Sequence, residues 1–140
     1  MIFLDTSILI AVAQVSHARH TASLEVWNSC RRKDSAIGAH TLAELYNCLT
    51  GMPPPLRIRP RDAALAIETF LRRLTPIVLT AEDYQDALSR AARLGIAGGM
   101  IYDLLLLQCA RKCRASKIYT WNLQHFRAAA PDLSERIATP

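Results

Sequence analysis

At 140 residues the chain fits one domain, 1–140, with a single core able to bury roughly 70% of the unfolded surface. Hydrophobic residues at 51% against charged residues at 21% exclude a disordered chain. The net charge of +5 is carried almost wholly by arginine, fourteen against three lysines, and the planar guanidinium suits phosphate, so nucleic acid is a natural partner.

In chain order, Ile2-Phe3-Leu4 is a short buried strand ending at Asp5, after which Thr6-Ser7 can cap a helix to about Val15. Leu24, Trp27 and Cys30 recur at spacing three, so a helix runs over about residues 21–33. A brief strand over 35–39 leads into a helix from Thr41 to about Leu49, stopped by Gly51 and Pro53-Pro54-Pro55. After Pro60 the stripe Ala63, Ile67, Phe70, Leu71, Leu74 marks another helix, and 76–79 a third strand. Thr80 and Asp83 form a capping-box start to the next helix, broken by Gly95, Gly98 and Gly99. A helix then spans about residues 100–114, followed by a fourth strand at 117–120 and a fifth at 136–138. Alternating short strands and helices predict an α/β layer fold with a mostly parallel central sheet flanked by helices.

No apolar run reaches the roughly 18–20 residues of a membrane span, and no basic region precedes the first apolar stretch. The chain therefore reads as soluble, cytoplasmic and without a signal peptide. Its four cysteines form no CxxC and read as free thiols in a reducing compartment.

Three acids stand in apolar surroundings: Asp5 after Ile2-Phe3-Leu4, Glu44 within Leu42-Ala43-Glu44-Leu45, and Asp103 before four leucines. No Lys or Arg lies within six residues of any of them. An ionised carboxylate in such a setting is costly unless it is paired or binds a cation. Each has a plainer use. Asp5 before Thr-Ser suits helix capping, Thr41-Leu42-Ala43-Glu44 matches a capping box, and Asp103 falls in a helical first turn that favours an acid. Strand ends in open α/β sheets nevertheless point to one ligand crevice, and Asp5, Glu44 and Asn122 all follow strands. If the fold gathers the acids, a divalent cation relieves their repulsion, and oxygen ligands suit Mg²⁺ or Mn²⁺. Such an ion can orient water and hold a phosphate oxygen.

The segments "FLDTS", "TLAEL", "IYDLLLLQCA" and "IYTWNLQHF" together resemble a PIN domain, and more narrowly the VapC-type toxins of type II toxin–antitoxin pairs. The likeness covers essentially the whole chain. It implies a PIN-like three-layer sandwich and a Mg²⁺-dependent endoribonuclease, with Mn²⁺ able to substitute. It also implies a cognate antitoxin and a homodimer. Asp5, Glu44 and Asp103 fall on the family's first three acidic positions, as metal and catalytic ligands. Asn122 stands where a fourth acid is common, with no carboxylate until Asp132, which implies one well-held metal.

Thr6 or Ser7 could meet a phosphate, although helix capping serves them equally well. Trp121 could stack on a base or lie in the core, and His125 reads as a surface residue. Arg57, Arg59 and Arg61 alternate in what looks like an extended segment, a workable phosphate rail or a merely solvated edge. The missing fourth acid also admits a different reading, a PIN fold that binds RNA or protein with little or no cleavage. A receiver-like phosphoacceptor domain fits worse, because Asp5 stands alone after the first strand and Lys117 precedes the fourth.

Overall fold

In a computed structural model describing residues 1–140, the apolar runs form five strands. These are β1 (Ile2–Leu4), β2 (Ser35–Gly38), β3 (Thr75–Ile77), β4 (Lys117–Tyr119) and β5 (Ile137–Ala138). They pair in the order β3-β2-β1-β4-β5, every pair parallel. The seven helices are α1 (Thr6–Ala13), α2 (His20–Ser29), α3 (Thr41–Gly51), α4 (Pro60–Leu71), α5 (Ala81–Leu94), α6 (Met100–Lys112) and α7 (Leu123–Ala129). A 3₁₀ turn over Pro131–Arg136 leads into β5.

Strand periodicity divides the core into two layers. Phe3, Ala36, Ile118 and Ile137 pack with α5, α6 and α7, whereas Leu4 and Ile37 pack with α1 to α4. Successive side chains on a strand point to opposite faces, which produces this split. From β1 the chain steps through β2 to β3 with α1–α4 on one face. It then crosses back to β4 and β5 with α5–α7 on the other, as right-handed crossovers require when the direction reverses. The reversal lies between β1 and β4, and there the carboxyl ends of the strands open a crevice.

The sheet and its two helical layers match the expected sandwich, with several local differences. The first helix ends at Ala13 rather than Val15, and Val15 is 80% exposed. The second closes at Ser29, because Cys30 is already extended. Strand β3 stops at Ile77, since Val78 is 67% exposed and has left the sheet. Helix α7 and the 3₁₀ turn have no counterpart in the expected elements. The capping box of α5 is present in full: the Asp83 amide donates to the Thr80 hydroxyl, and the Thr80 amide donates to the Asp83 carboxylate. That helix ends at Gly95 in the left-handed region (φ 65°), where glycine carries no Cβ penalty.

Helix α6 is buried on most sides, with Leu104, Leu105, Leu106 and Leu107 all inside. Its approach to β2 depends on Gly38. A Cβ there would lie 3.0 Å from Leu106 Cδ2, 3.1 Å from His40 Cε1 and 3.4 Å from Cys109 Sγ. Gly38→Ala is therefore expected to cost about 1–3 kcal/mol by overpacking, read as a lower urea midpoint. An unchanged midpoint would show that α6 does not rely on this close approach.

Candidate active site

The crevice between β1 and β4 collects residues from four elements. Asp5 leaves β1, Glu44 lies in the first turn of α3, Asp103 in the first turn of α6, and Thr120–Asn122 follows β4. Asp5 is 2% exposed. Its Oδ2 accepts from the Ser7 hydroxyl at 2.5 Å and from the Thr120 hydroxyl at 2.7 Å. Each of those hydroxyls in turn accepts a backbone amide, Trp121 N–H at 3.1 Å onto Ser7 and Asn122 N–H at 2.9 Å onto Thr120. The loop after β4 is thus built onto the carboxylate of β1.

Asp103 does fall in the first turn of α6, but the capping uses of Asp5 and Glu44 are not found. Asp5 stands at the N-cap of α1 but makes no capping bond to the amides of that turn. Glu44 does not close a capping box on Thr41. The N-cap of α3 is His40, no side-chain cap forms, and Glu44 Oε2 instead accepts from the Thr6 hydroxyl at 2.5 Å. Thr6 and Ser7 each hold one acid.

None of the three carboxylates pairs with Lys or Arg. The lysine and arginine partners belong to Asp62, Asp83 and Asp132. Burial pushes the Asp5 carboxyl up, opposed by the Ser7 and Thr120 hydroxyls and reinforced by the charge of Glu44. Asp103 rises to about 6, first through burial and then through the charge of Asp5, with His125 lowering it and Glu44 raising it. The carboxylates therefore feel one another across the crevice. His125 Nδ1 lies 3.8 Å from Asp103 Oδ2. Burial holds the His40 imidazole below its usual value although Glu44 pulls it up, so His40 supplies little counter-charge.

No three His, Cys, Asp or Glu side chains lie close enough to grip one ion together. Thr6 draws Glu44 toward α1, and His125 faces Asp103 from α7. Direct ligation by Asp5, Glu44 and Asp103 at once is not the geometry present. The site still fits a hard divalent ion of the kind that keeps several waters and takes one or two carboxylates. It is rich in oxygen donors, the Asp5 and Asp103 carboxyls are raised, and no Lys or Arg pairs with any of the three acids.

The remaining candidates divide. Asn122 is exposed at the N-cap of α7 and makes no capping bond. Trp121 is half-buried, packed against the core on the α1–α4 side, with its indole N–H donating to the Ser23 hydroxyl at 2.9 Å. The arginine rail does not form as one extended stretch. Pro60 starts α4, so Arg61 lies in a helical turn, while Arg59 pairs with Asp62 and Arg57 Nε donates to the Met52 carbonyl. Thr120 and His125 were not singled out from the sequence as site residues. Their signal was their position in "YTWNLQHF", directly after a strand.

A PIN-domain family model matches residues 2–130. The chain belongs to the PIN-domain family. Among its relatives, Ribonuclease VapC27 of Mycobacterium tuberculosis is 34% identical over 79% of this chain and 77% of its own length. Ribonuclease VapC40 of the same organism is 32% identical over 89% and 88%. These place this PIN domain in the VapC branch. Two solved structures share its fold. VapC20 of Mycobacterium tuberculosis, described as a sarcin-ricin loop cleaving toxin, aligns with TM-score 0.74 and 22% identity over 91% of this chain and 95% of its own. VapBC2 of Rickettsia felis, solved with a DNA fragment from its promoter, aligns with TM-score 0.62 and 23% identity over 91% and 92%.

The raised Asp103 value sets a pH dependence. Folded Asp103 holds its proton more tightly than the unfolded chain, so its contribution to stability is greatest below about pH 4 and is lost as pH rises to about 6. Solvent screening at this partly open position keeps the difference to roughly 1–2 kcal/mol. Urea unfolding in chelator at pH 4.5 and 7 should show Asp103→Asn gaining on the parent at the higher pH, and an equal gap at both would refute the assignment. Asp5→Asn should leave the metal-free PIN domain at pH 7 equally or more stable. A loss beyond about 2 kcal/mol would instead make Asp5 a structural hydrogen-bond anchor.

Proposed function

We propose that this PIN domain is a Mg²⁺-dependent endoribonuclease, with Mn²⁺ able to substitute, acting as the toxin of a toxin–antitoxin pair in the cytoplasm. The observation that carries the reading is the cluster of carboxylates, paired with no Lys or Arg and with Asp5 and Asp103 raised, at the carboxyl ends of β1 and β4. Relatives named ribonucleases support the substrate class. No helix is long and apolar enough to cross a membrane.

Asp5 and Asp103 would hold the cation, Glu44 would reach it through water, and Asn122 would assist at the open rim. When bound, the ion supplies an activated water and stabilises charge on the phosphoryl oxygens. The chain's own part is to fix these groups beforehand. Ser7 and Thr120 lock the Asp5 rotamer, Thr6 locks Glu44, and α6 presents Asp103 from a packed helix. Arg59 and Arg61 line one shallow depression at the start of α4 and could contact the RNA backbone beyond the cut.

A protein antitoxin would block the site by covering it. A groove of about 590 Å³ beside Glu44, with Cys48, Tyr84, Tyr102 and Leu105 along its apolar wall, offers such a partner a seat. Leu88 and Leu94, each exposed on α5, are candidate apolar contacts for a second copy of the chain in a homodimer.

Purified protein with Mg²⁺ should cleave structured RNA, and Asp103→Asn should lose this by about 100-fold or more. Equal cleavage by both proteins would mark the activity as contamination. The second reading, a binding module with little cleavage, is favoured by Asn122 in place of an acid. Asn122→Asp separates the two, because under the nuclease reading it should lower the Mg²⁺ concentration for half-maximal cleavage several-fold. RNA binding with no cleavage by either parent or variant would favour the binding module.

A further inference from the structure

The loop after β4 carries more than the hydrogen bonds that hold Asp5. Trp121, Asn122, Leu123, Gln124 and His125 line an open depression of about 410 Å³ at the surface. One of its walls is tied to Asp5, since Trp121 N–H donates to the Ser7 hydroxyl that donates to Asp5. Another wall is His125, which faces Asp103. The pocket is lined by neither acid but lies next to both, reaching Asp5 through Ser7 and Asp103 through His125. The Trp121 indole is fixed at its N–H by Ser23, whose side chain is fully buried, and it packs on the core. An aromatic ring held this firmly at the rim of a crevice loses little entropy on stacking.

Above it lies Arg19, exposed at the start of α2, its guanidinium carbon 4.6 Å from the centre of the indole ring. No carboxylate pairs with Arg19. A cation laid on an aromatic, beside a pocket with an exposed side-chain amide, is the combination that single-stranded RNA exploits. The base finds a π surface and an amide for its edge, and the phosphate finds a guanidinium.

We propose that the Trp121–His125 pocket, with Arg19 above the indole, is a subsite for one unpaired nucleotide of the RNA, adjoining the scissile phosphate. The inference rests on the nuclease reading for the identity of the strand. Because Arg19 covers the outer face of the indole and the core the inner one, Arg19 swings off the ring to donate to the neighbouring phosphate, the base takes its place against Trp121, and Gln124 offers its amide to the base edge. Recognition here selects strands whose bases are already unpaired, because a paired base must first leave its stack to enter.

The test uses the full chain in chelator with uncleavable single-stranded 2′-O-methyl oligonucleotides, one set with bases and one abasic. Strands with bases should quench tryptophan fluorescence and bind about tenfold or more tightly than abasic strands. In Trp121→Phe the quench should vanish while affinity stays within a few-fold of the parent, because phenylalanine still stacks. Gln124→Ala, at an exposed position outside the core, should weaken binding of strands with bases but not of abasic ones. Arg19→Gln should reduce the salt dependence of binding by about one counterion. Equal affinity of the parent for strands with and without bases overturns the subsite without involving any variant. Base-dependent quenching that persists in Trp121→Phe overturns it too, since the signal would then come from Trp27. The two readings fail separately. Cleavage that depends on Asp103 but not on bases in this pocket removes the subsite alone, whereas base-dependent binding without cleavage keeps the subsite and removes the nuclease.

Discussion

Asp5 is buried, ionisable and unpaired by any basic residue, and much of the crevice is organised around its tolerance. A bare carboxylate in that position would carry a desolvation cost of several kcal/mol. Two hydroxyl donors, Ser7 and Thr120, offset part of it. Both hydroxyls are themselves oriented by amides of the loop that follows β4. The loop's conformation and the acid's solvation are therefore one structure. The residual strain, seen in the raised Asp5 and Asp103 values, is what a cation would relieve.

Topology explains how acids so far apart along the chain come to one place. With β1 at the centre of an all-parallel sheet, its two neighbours β2 and β4 belong to opposite halves of the winding. The helix that leaves β2 and the helix that leads into β4 both start at the carboxyl edge of the sheet, so their first turns surround a common crevice. The first turn of α3 brings Glu44. Helix α6 brings Asp103, held against β2 by the glycine contact at Gly38. A four-leucine run gives α6 burial on most sides, which fixes its axis more firmly than an amphipathic surface helix would be fixed.

The strands were legible because each is a short apolar run with a turn or helix signal after it, and the acids because apolar neighbours make a carboxylate conspicuous. Capping was not decidable from sequence. Asp-Thr-Ser and Thr-Leu-Ala-Glu read as helix starts whether or not the side chains cap, and here both acids turn to hydroxyls from other elements. Helix α7 escaped notice because its seven residues carry no side-chain cap and too little length for a clear period. With it went the placement of His125 opposite Asp103, a contact set by how α7 lies on α6. The three alternating arginines misled for a local reason. Pro60 is well suited to a first helical position, so the extended spacing ended before Arg61.

The departure at Asn122 bears on the charge balance of the whole site. Under the nuclease reading, three carboxylates around a doubly charged ion would leave about one negative charge. A fourth acid would leave two, and an incoming phosphate would meet that charge at close range, where like charges 4 Å apart repel by about 4 kcal/mol at an effective dielectric of 20. Under that reading asparagine would trade hold on the cation for easier approach of the RNA backbone. It also keeps a donor at the rim that a carboxylate would lack, exposed and free of a capping bond. Under the nuclease reading, affinity for substrate and affinity for metal are in this way set by different residues, the first at the Asn122 loop and the second at the acids beneath it.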